Sequence, residues 1–475
     1  MKKKLKGSLT VFFALIMTSV MTLMFAMAEG IRIYELNIFA KEYMDMSIES
    51  AFSEYNPYLW KNYRILALDT STEVLQQKII EYCNANSNGV TGTNFGRLIA
   101  DQVTVDKYGL LTDQSGQAVK SLGIKAAKQG FAAQLVESFK ANDNNLKSIP
   151  PSSVKEQAEN AKNSLNNAKA SLEEAKRNNP DETYPEPEEV EDNPLDAFSV
   201  MKEAIAKGVL SVVVPADKLS DKSIALDEMP SRRMLNQGNG SYEMNLNLVD
   251  RALFIDYLLT NYSYYGYGKS DGLNYEIEYL INQKASDVEN LAAVVIELLA
   301  LREGANFATI TSKDAMRNQA YSIANTIAAF TMNEVIIEAV AVGIMAAWAF
   351  IESVLDVRLL LAGGKIPVIK TLDDWTSDVY HLSSYLEVSK KAKETENGIS
   401  YRDYLMGFLA TRPDKSLSIR ACDVMEVALN STEDYKNSKV DNMIFTADFT
   451  MSFVGKEIFV DSGSYLLEKK KSISY

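Results

Sequence analysis

Between Ser8 and Ala28 the chain reads SLTVFFALIMTSVMTLMFAMA, a run of 21 residues without a charge, and Lys2, Lys3, Lys4 and Lys6 precede it. Coiled as a helix, that run reaches roughly 31 Å. The hydrocarbon core of a bilayer is about 30 Å thick, so the run can cross it once. The lysines then set the orientation, because basic residues stay on the cytoplasmic side. Residues 1–7 are therefore expected as a basic cytoplasmic leader and 8–28 as a transmembrane helix. The protein is expected in the cell membrane, single-pass, with its N-terminus cytoplasmic and the bulk of the chain extracytoplasmic.

Three fates are open to this start. Ala26 and Ala28 form an A-x-A pattern before Glu29, which signal peptidase can cut. The apolar run is longer than the roughly 7–15 residues of a signal h-region, however. The second fate is an uncut anchor. The third is loss of the basic leader alone, with Gly7 and Ser8 as the processing site. The residues after Ala28 favour retention. Ile33, Leu36, Phe39, Tyr43, Met46 and Phe52 keep mostly helical spacing, and apart from Gly30 nothing interrupts the pattern before Pro57. Residues 29–57 are expected as a helical stem continuous with the transmembrane helix.

KGSLTVFF and the apolar span after it, with AEG at 28–30, EYN at 54–56 and YRILALD at 63–69, carry a resemblance. So do NYEIEYLI, ENLAAVVIELLALREGANF, VRLLLAGGKIPVIKT and RACDVMEVALN further on. Together they resemble an uncharacterised Gram-positive family of single-pass exported proteins associated with Flp/Tad-type pilus loci. The resemblance implies a pilus-associated or envelope role and does not itself imply any activity. The KGS start also resembles TadE-like pseudopilins. Those carry a glutamate at the fifth position after the cleaved glycine, where it pairs with a neighbour's new amino terminus. Phe12 stands at that position here, a departure that bears on both leader processing and filament incorporation.

A chain of 475 residues with net charge −14 is long enough for two or three domains and opposes binding to nucleic acid. Cys83 and Cys422 are too few for a disulfide scaffold or a zinc site. They can pair outside the cell or sit as two small buried residues.

Along the chain, YRILALD alternates as a strand, 72–83 and 117–140 show helical spacing, and NANSNGVTGTN between them reads as a loop. Ser153 and Glu156 form a capping box. From there Val154, Ala158, Ala161, Leu165, Ala168, Leu172 and Ala175 recur as a heptad seam of small residues. Such a seam suits an intramolecular hairpin with 117–140 better than an independent coiled coil. Residues 58–178 are thus expected as an α+β region with a helical hairpin. An acidic, proline-rich linker at 179–194 comes next, too polar to bury, and it marks the expected boundary. It lacks the ligand spacing of a calcium loop.

Residues 195–475 are expected as an α+β ectodomain with a helical core and C-terminal strands. LDAFSVMKEAIAKGVL and VDRALFIDYLLTNYSY read as helices, and SVVVP and NYEIEYLI as strands. Three helices are expected near 286–303, 313–331 and 333–362. The third holds AVAVGIMAAWAFI, 13 uncharged residues between Glu338 and Glu352. That is too short for a span and suits a central core helix. KIPVIKT reads as extended, and helices are expected near 400–412, with Ser400 as cap, and through SIRACDVMEVALN. The tail reads as strands with turns at VGKE and DSGS. The sheet is expected from 63–69, 274–281 and the tail. The fold class is α+β: an N-terminal transmembrane helix continuing into a helix-rich ectodomain packed on an antiparallel sheet.

No catalytic, cofactor-binding or metal-binding constellation emerges, and no enzyme is expected. His381 is the only histidine, so any histidine-dependent triad must run through it. No HExxH or CxxC is present. GYGKS at 266–270 ends like a phosphate loop, but its first glycine position is Ser263. NYSYYGYG offers one candidate contact surface: Tyr262, Tyr264, Tyr265 and Tyr267. The alternative is a tyrosine-rich connection partly packed on the domain. The expected function is a membrane-anchored extracytoplasmic structural or accessory protein, minor-pilin-like or an assembly component of a Tad-type system. Its expected partners are the bilayer and pilus or envelope proteins. An anchored binding protein or adhesin is the alternative.

Overall fold

The computed structural model describes residues 8–88, 94, 96–127, 149–240, 248–458 and 463–475. The chain forms two compact units, Met1–Leu122 with Met234–Asn245 and Asn437–Tyr475, and Gly123–Arg233 with Leu246–Lys436. The fold is α+β, as expected.

The first unit begins with helix α1, Ser8–Phe52, unbroken across the apolar run and the expected stem. Asn56 caps the short helix α2, Pro57–Tyr63, its Oδ1 accepting from the Tyr58 and Leu59 amides. Pro57 suits the first helical position, where no amide is needed. The strand expected over 63–69 therefore shrinks to β1, Leu68–Asp69. Helix α3, Thr72–Asn88, packs against α1. Strand β2 is Leu98–Leu110, β3 is Met443–Gly455 and β4 is Tyr465–Ser474. β3 is the centre of this antiparallel sheet and pairs with the other three. Val103 faces Met451 and Phe449 faces Lys471.

The core of this unit takes Leu36, Ala40, Met44, Ile48 and Phe52 from α1, Leu75 and Ile79 from α3, and Phe449, Met451 and Phe453 from β3. Steps of four place those α1 residues on one face. Phe39 and Met46, which the apolar spacing also includes, face outward.

Strand β2 carries no clear alternation in sequence because it is irregular. Its register with β3 shifts at Ala100/Gln102 and Val105/Lys107, and two successive exposed residues, Asp101–Gln102 and Asp106–Lys107, stand at those points. Each shift breaks the period of two. Helix α4, Asp113–Ala127, opens with a left-handed stretch at Gln114, Ser115 and Gly116, so regular helix starts at residue 117, as expected. Positions 128–140 of that expected helix lie outside the described residues, as does most of the NANSNGVTGTN loop.

In the second unit, helices α5 (Val154–Asn178) and α6 (Pro194–Lys207) both pack on the long helix α11 (Glu334–Leu361). The acidic segment 179–194 is mostly exposed, but it does not separate the units: the helices on both sides belong to this one. The alanine seam works within the molecule, with α11 as partner. A Cβ added to Gly343 would lie 2.1 Å from the Ala161 Cβ, so the helices approach as closely as two small residues permit. Val154, Ala158, Ala161 and Leu165 are buried there, while Leu172 and Ala175 are only half-buried. Ser153 precedes α5 without the expected side-chain cap.

Helices α7 (Leu248–Asn261), α8 (Glu276–Asn282), α9 (Asp287–Ser312) and α10 (Asp314–Ala328) complete the block with α11. α11 is buried continuously from Gly343 to Leu361 and is a core helix. Helices α12 (Tyr401–Thr411) and α13 (Asp414–Asn430) come after it, with Ser400 and Asp403 forming a capping box. Two expected strands are corrected. SVVVP forms a buried 3-10 turn at Val209–Val212 and an irregular stretch after it. NYEIEYLI is helix α8, so 274–281 contributes nothing to the sheet.

Candidate functional site

The strongest candidate is the outer half of α1. Its large apolar side chains from Leu9 to Met27 are exposed, with Phe12 at 56%, Phe13 at 61% and Met24 at 63%. No described part of the protein covers them. A window of 18 residues here has mean hydropathy 2.2 with none of it buried, whereas the comparable window in α11 is 61% buried. Apolar surface of this extent is stable only against lipid or a partner. The hydroxyls are also accommodated: Thr18 donates to the Ala14 carbonyl at 2.8 Å and Thr22 to the Thr18 carbonyl at 2.8 Å. Hydroxyls bonded to their own helix need no water.

At the inner end Glu29 and Arg32, one turn apart, are buried and pair at 3.2 Å. Arg32 also donates through Nη2 to the Lys456 carbonyl after β3. This charged clasp marks where α1 passes from its uncovered stretch into the folded unit. Gly30 between them makes no close contact and does not interrupt the helix. Ser8 is the first residue of α1, and Gly7 lies outside the described residues.

The remaining sequence candidates disperse. Neither Cys83 nor Cys422 forms a disulfide. Cys83 sits on α3 in the core of the first unit and Cys422 on α13 in the second, each enclosed by its own packing. Burial pushes the Cys83 thiol up to about 11. The tyrosine-rich segment is mostly a packed connection. Tyr262 and Tyr264 are buried, Tyr265 is half-buried, and Tyr267 is exposed. Tyr264 and Tyr267 bond to each other through their backbones and stack at 4.8 Å across a turn in which Gly266 has φ +83. The Tyr265 amide donates to Glu278 at 2.9 Å and the Ser263 amide to Glu276 at 2.7 Å. His381 is exposed, and its ring has no hydrogen-bond partner among the described residues. No group of three metal-ligating side chains occurs among the described residues.

Sequence reasoning missed the buried charges of the second unit. Arg302, Glu352, Asp356 and Lys370 are enclosed together. Arg302 meets Asp356 at 2.9 Å, Lys370 meets Asp356 at 2.5 Å, and Lys370 also pairs with Glu352. Burial opposes ionisation of Asp356, yet Lys370 and Arg302 hold its carboxyl below the usual range. The rest of their bonding goes to connecting segments. Glu352 accepts from the Ser377 amide at 2.8 Å, and Arg302 donates to the Val368 carbonyl at 2.8 Å. Asp287 accepts from the Asn274 and Tyr275 amides, and Asp423 from the Ser231 amide and the Tyr279 hydroxyl. These groups tie irregular chain to helices. Their identity as charges is visible in sequence, but nothing local distinguishes a buried acid from a solvated one.

No curated protein and no solved structure matches the chain. A family match covers residues 184–455, from within the acidic segment to the end of β3, and leaves α1 outside it. Over that stretch, more than half of its length, the chain belongs to the family described as Family of unknown function (DUF5702).

Proposed function

We propose that this protein is a membrane-anchored, extracytoplasmic structural part of an envelope assembly, minor-pilin-like or accessory to a Tad-type pilus system, and not an enzyme. The observation that carries the reading is the continuity of α1: one helix of 45 residues offers an uncovered apolar length that suits a bilayer and then enters the core of a folded unit. Such a helix holds a folded body at a fixed height above the membrane. The basic start favours the outward orientation, and the KGS resemblance supports the pilus context. The polar groups inside the second unit serve to fasten connections, which suits a scaffold. The alternative of an adhesin working through the tyrosine-rich surface loses support, since two of its four tyrosines are buried.

Crosslinking in membranes followed by purification of the full chain tests this role. Recovery of filament or assembly-platform proteins is expected. A chain recovered only with itself, or a protease-protected body in cells stripped of their wall, would overturn it.

A further inference from the structure

The second unit contains a cavity of about 610 Å³ walled by the irregular 213–219 stretch, the end of α11 and the segment 388–391. Its volume falls in the range of small-molecule pockets, roughly 300–1,000 Å³. Val213, Val214, Leu219, Leu361 and Val388 make an apolar wall, and Tyr265 closes one side. The ionisable groups in the lining besides that phenol are all cations: Lys218, Lys391 and Arg358. Asp217 lies near the Tyr265 phenol but is not part of the wall.

Arg358 is the unusual member. It is 1% exposed and, among the described residues, pairs with no carboxylate. Backbone carbonyls hold it instead: Nε donates to Val212 at 2.7 Å, Nη1 to Tyr385 at 2.8 Å and to Glu387 at 2.6 Å, and Nη2 to Leu386 at 2.9 Å. Burial lowers its pKa to about 10. A buried cation answered only by dipoles is electrostatically incomplete, and an anion beside it restores the balance. Lys218 and Lys391 are exposed at the rim, where they add to the field.

We infer that this pocket binds a small organic carboxylate with an apolar body, the carboxylate held among Arg358, Lys218 and Lys391 and the body against the valine and leucine wall. The inference does not depend on the pilus reading.

The test is calorimetric titration of octanoate into the full chain in lipid nanodiscs, with empty nanodiscs as the blank. Saturable binding is expected, weaker for neutral octanamide. Lys218→Ala with Lys391→Ala should weaken it roughly tenfold, equivalent to about 1.4 kcal/mol. Ala362→Trp places a ring in the pocket from an exposed position at the end of α11 and should abolish binding. Both variants alter exposed residues, so the fold persists. Absence of saturable binding, equal affinity for octanamide, or affinity unchanged in both variants would overturn the inference.

Discussion

Lys370→Met removes one of two cations from the enclosed group of Arg302, Lys370, Glu352 and Asp356. The native set is neutral by count, and all four side chains have no exposure. Without Lys370 one negative charge remains in a site closed to water, and the contact of its ammonium 5.6 Å from the Trp375 ring is also lost. Breaking a buried pair in this way costs about 3–5 kcal/mol. The melting temperature of the second unit should fall on the order of 10 °C. Lys370→Met combined with Glu352→Gln returns the set to neutrality and should recover at least half of the loss, because the penalty is the uncompensated charge. The assay is urea unfolding of the full chain in nanodiscs, monitored by tryptophan emission. Trp348 and Trp375 stand 5.6 Å apart in the second unit, and Trp60→Phe removes the signal of the first. A single variant within about 1 kcal/mol of the parent would refute the reasoning. A double variant as unstable as the sum of the two single changes would do the same.

Buried titratable groups give two further outcomes. Burial raises the Glu278 carboxyl from 4.5 to about 7, and its Oε1 accepts from the Tyr265 amide and the Tyr401 hydroxyl. Between those pH values the folded state holds more protons than the unfolded one, so stability falls as pH rises through the window, by at most about 3 kcal/mol. Glu278→Gln should flatten that slope in unfolding measured from pH 4.5 to 7; an unchanged slope would place the titration elsewhere. Iodoacetamide should leave Cys83 unmodified in the native chain, because a thiol shifted up to about 11 is not ionised near neutrality. After unfolding without reductant both cysteines should be labelled, and a mass lacking the two labels would indicate a bridge.

Much of the helical part is legible in the sequence because long amphipathic or wholly apolar segments have few other uses. Two helices of the three-helix block are expected close to their observed bounds while the first runs on to Ser312, and α11 reads as core from the charges bracketing its short uncharged stretch. The errors have specific physical origins. In NYEIEYLI the glutamates alternate with apolar residues as in a half-exposed strand. Both are in fact buried, one accepting the Ser263 amide and the other the Tyr265 amide, and a helix covered on all sides shows no polar face. Strand β2 is hidden by its own register shifts. The acidic segment looks like a boundary because it is solvated, but Val154–Leu165 and Pro194–Met201 on either side pack on the same unit. The division into units depends on which distant segments pair, such as β2 with β3, and local composition carries no record of that. For the candidate site the apolar helix is legible from hydropathy alone. The cationic pocket is not, since Lys218, Arg358 and Lys391 are far apart in sequence and meet only through the fold.

The most direct test of the anchor is the intact mass of the chain extracted from the membrane fraction. Removal of the segment 8–28 changes the mass by a whole peptide, so the outcomes separate cleanly. A detergent-dependent protein that retains this segment and begins at Met1 or, after leader removal, at Ser8 is the expected outcome. A mature chain beginning at Glu29 and recovered from the medium without detergent would contradict it.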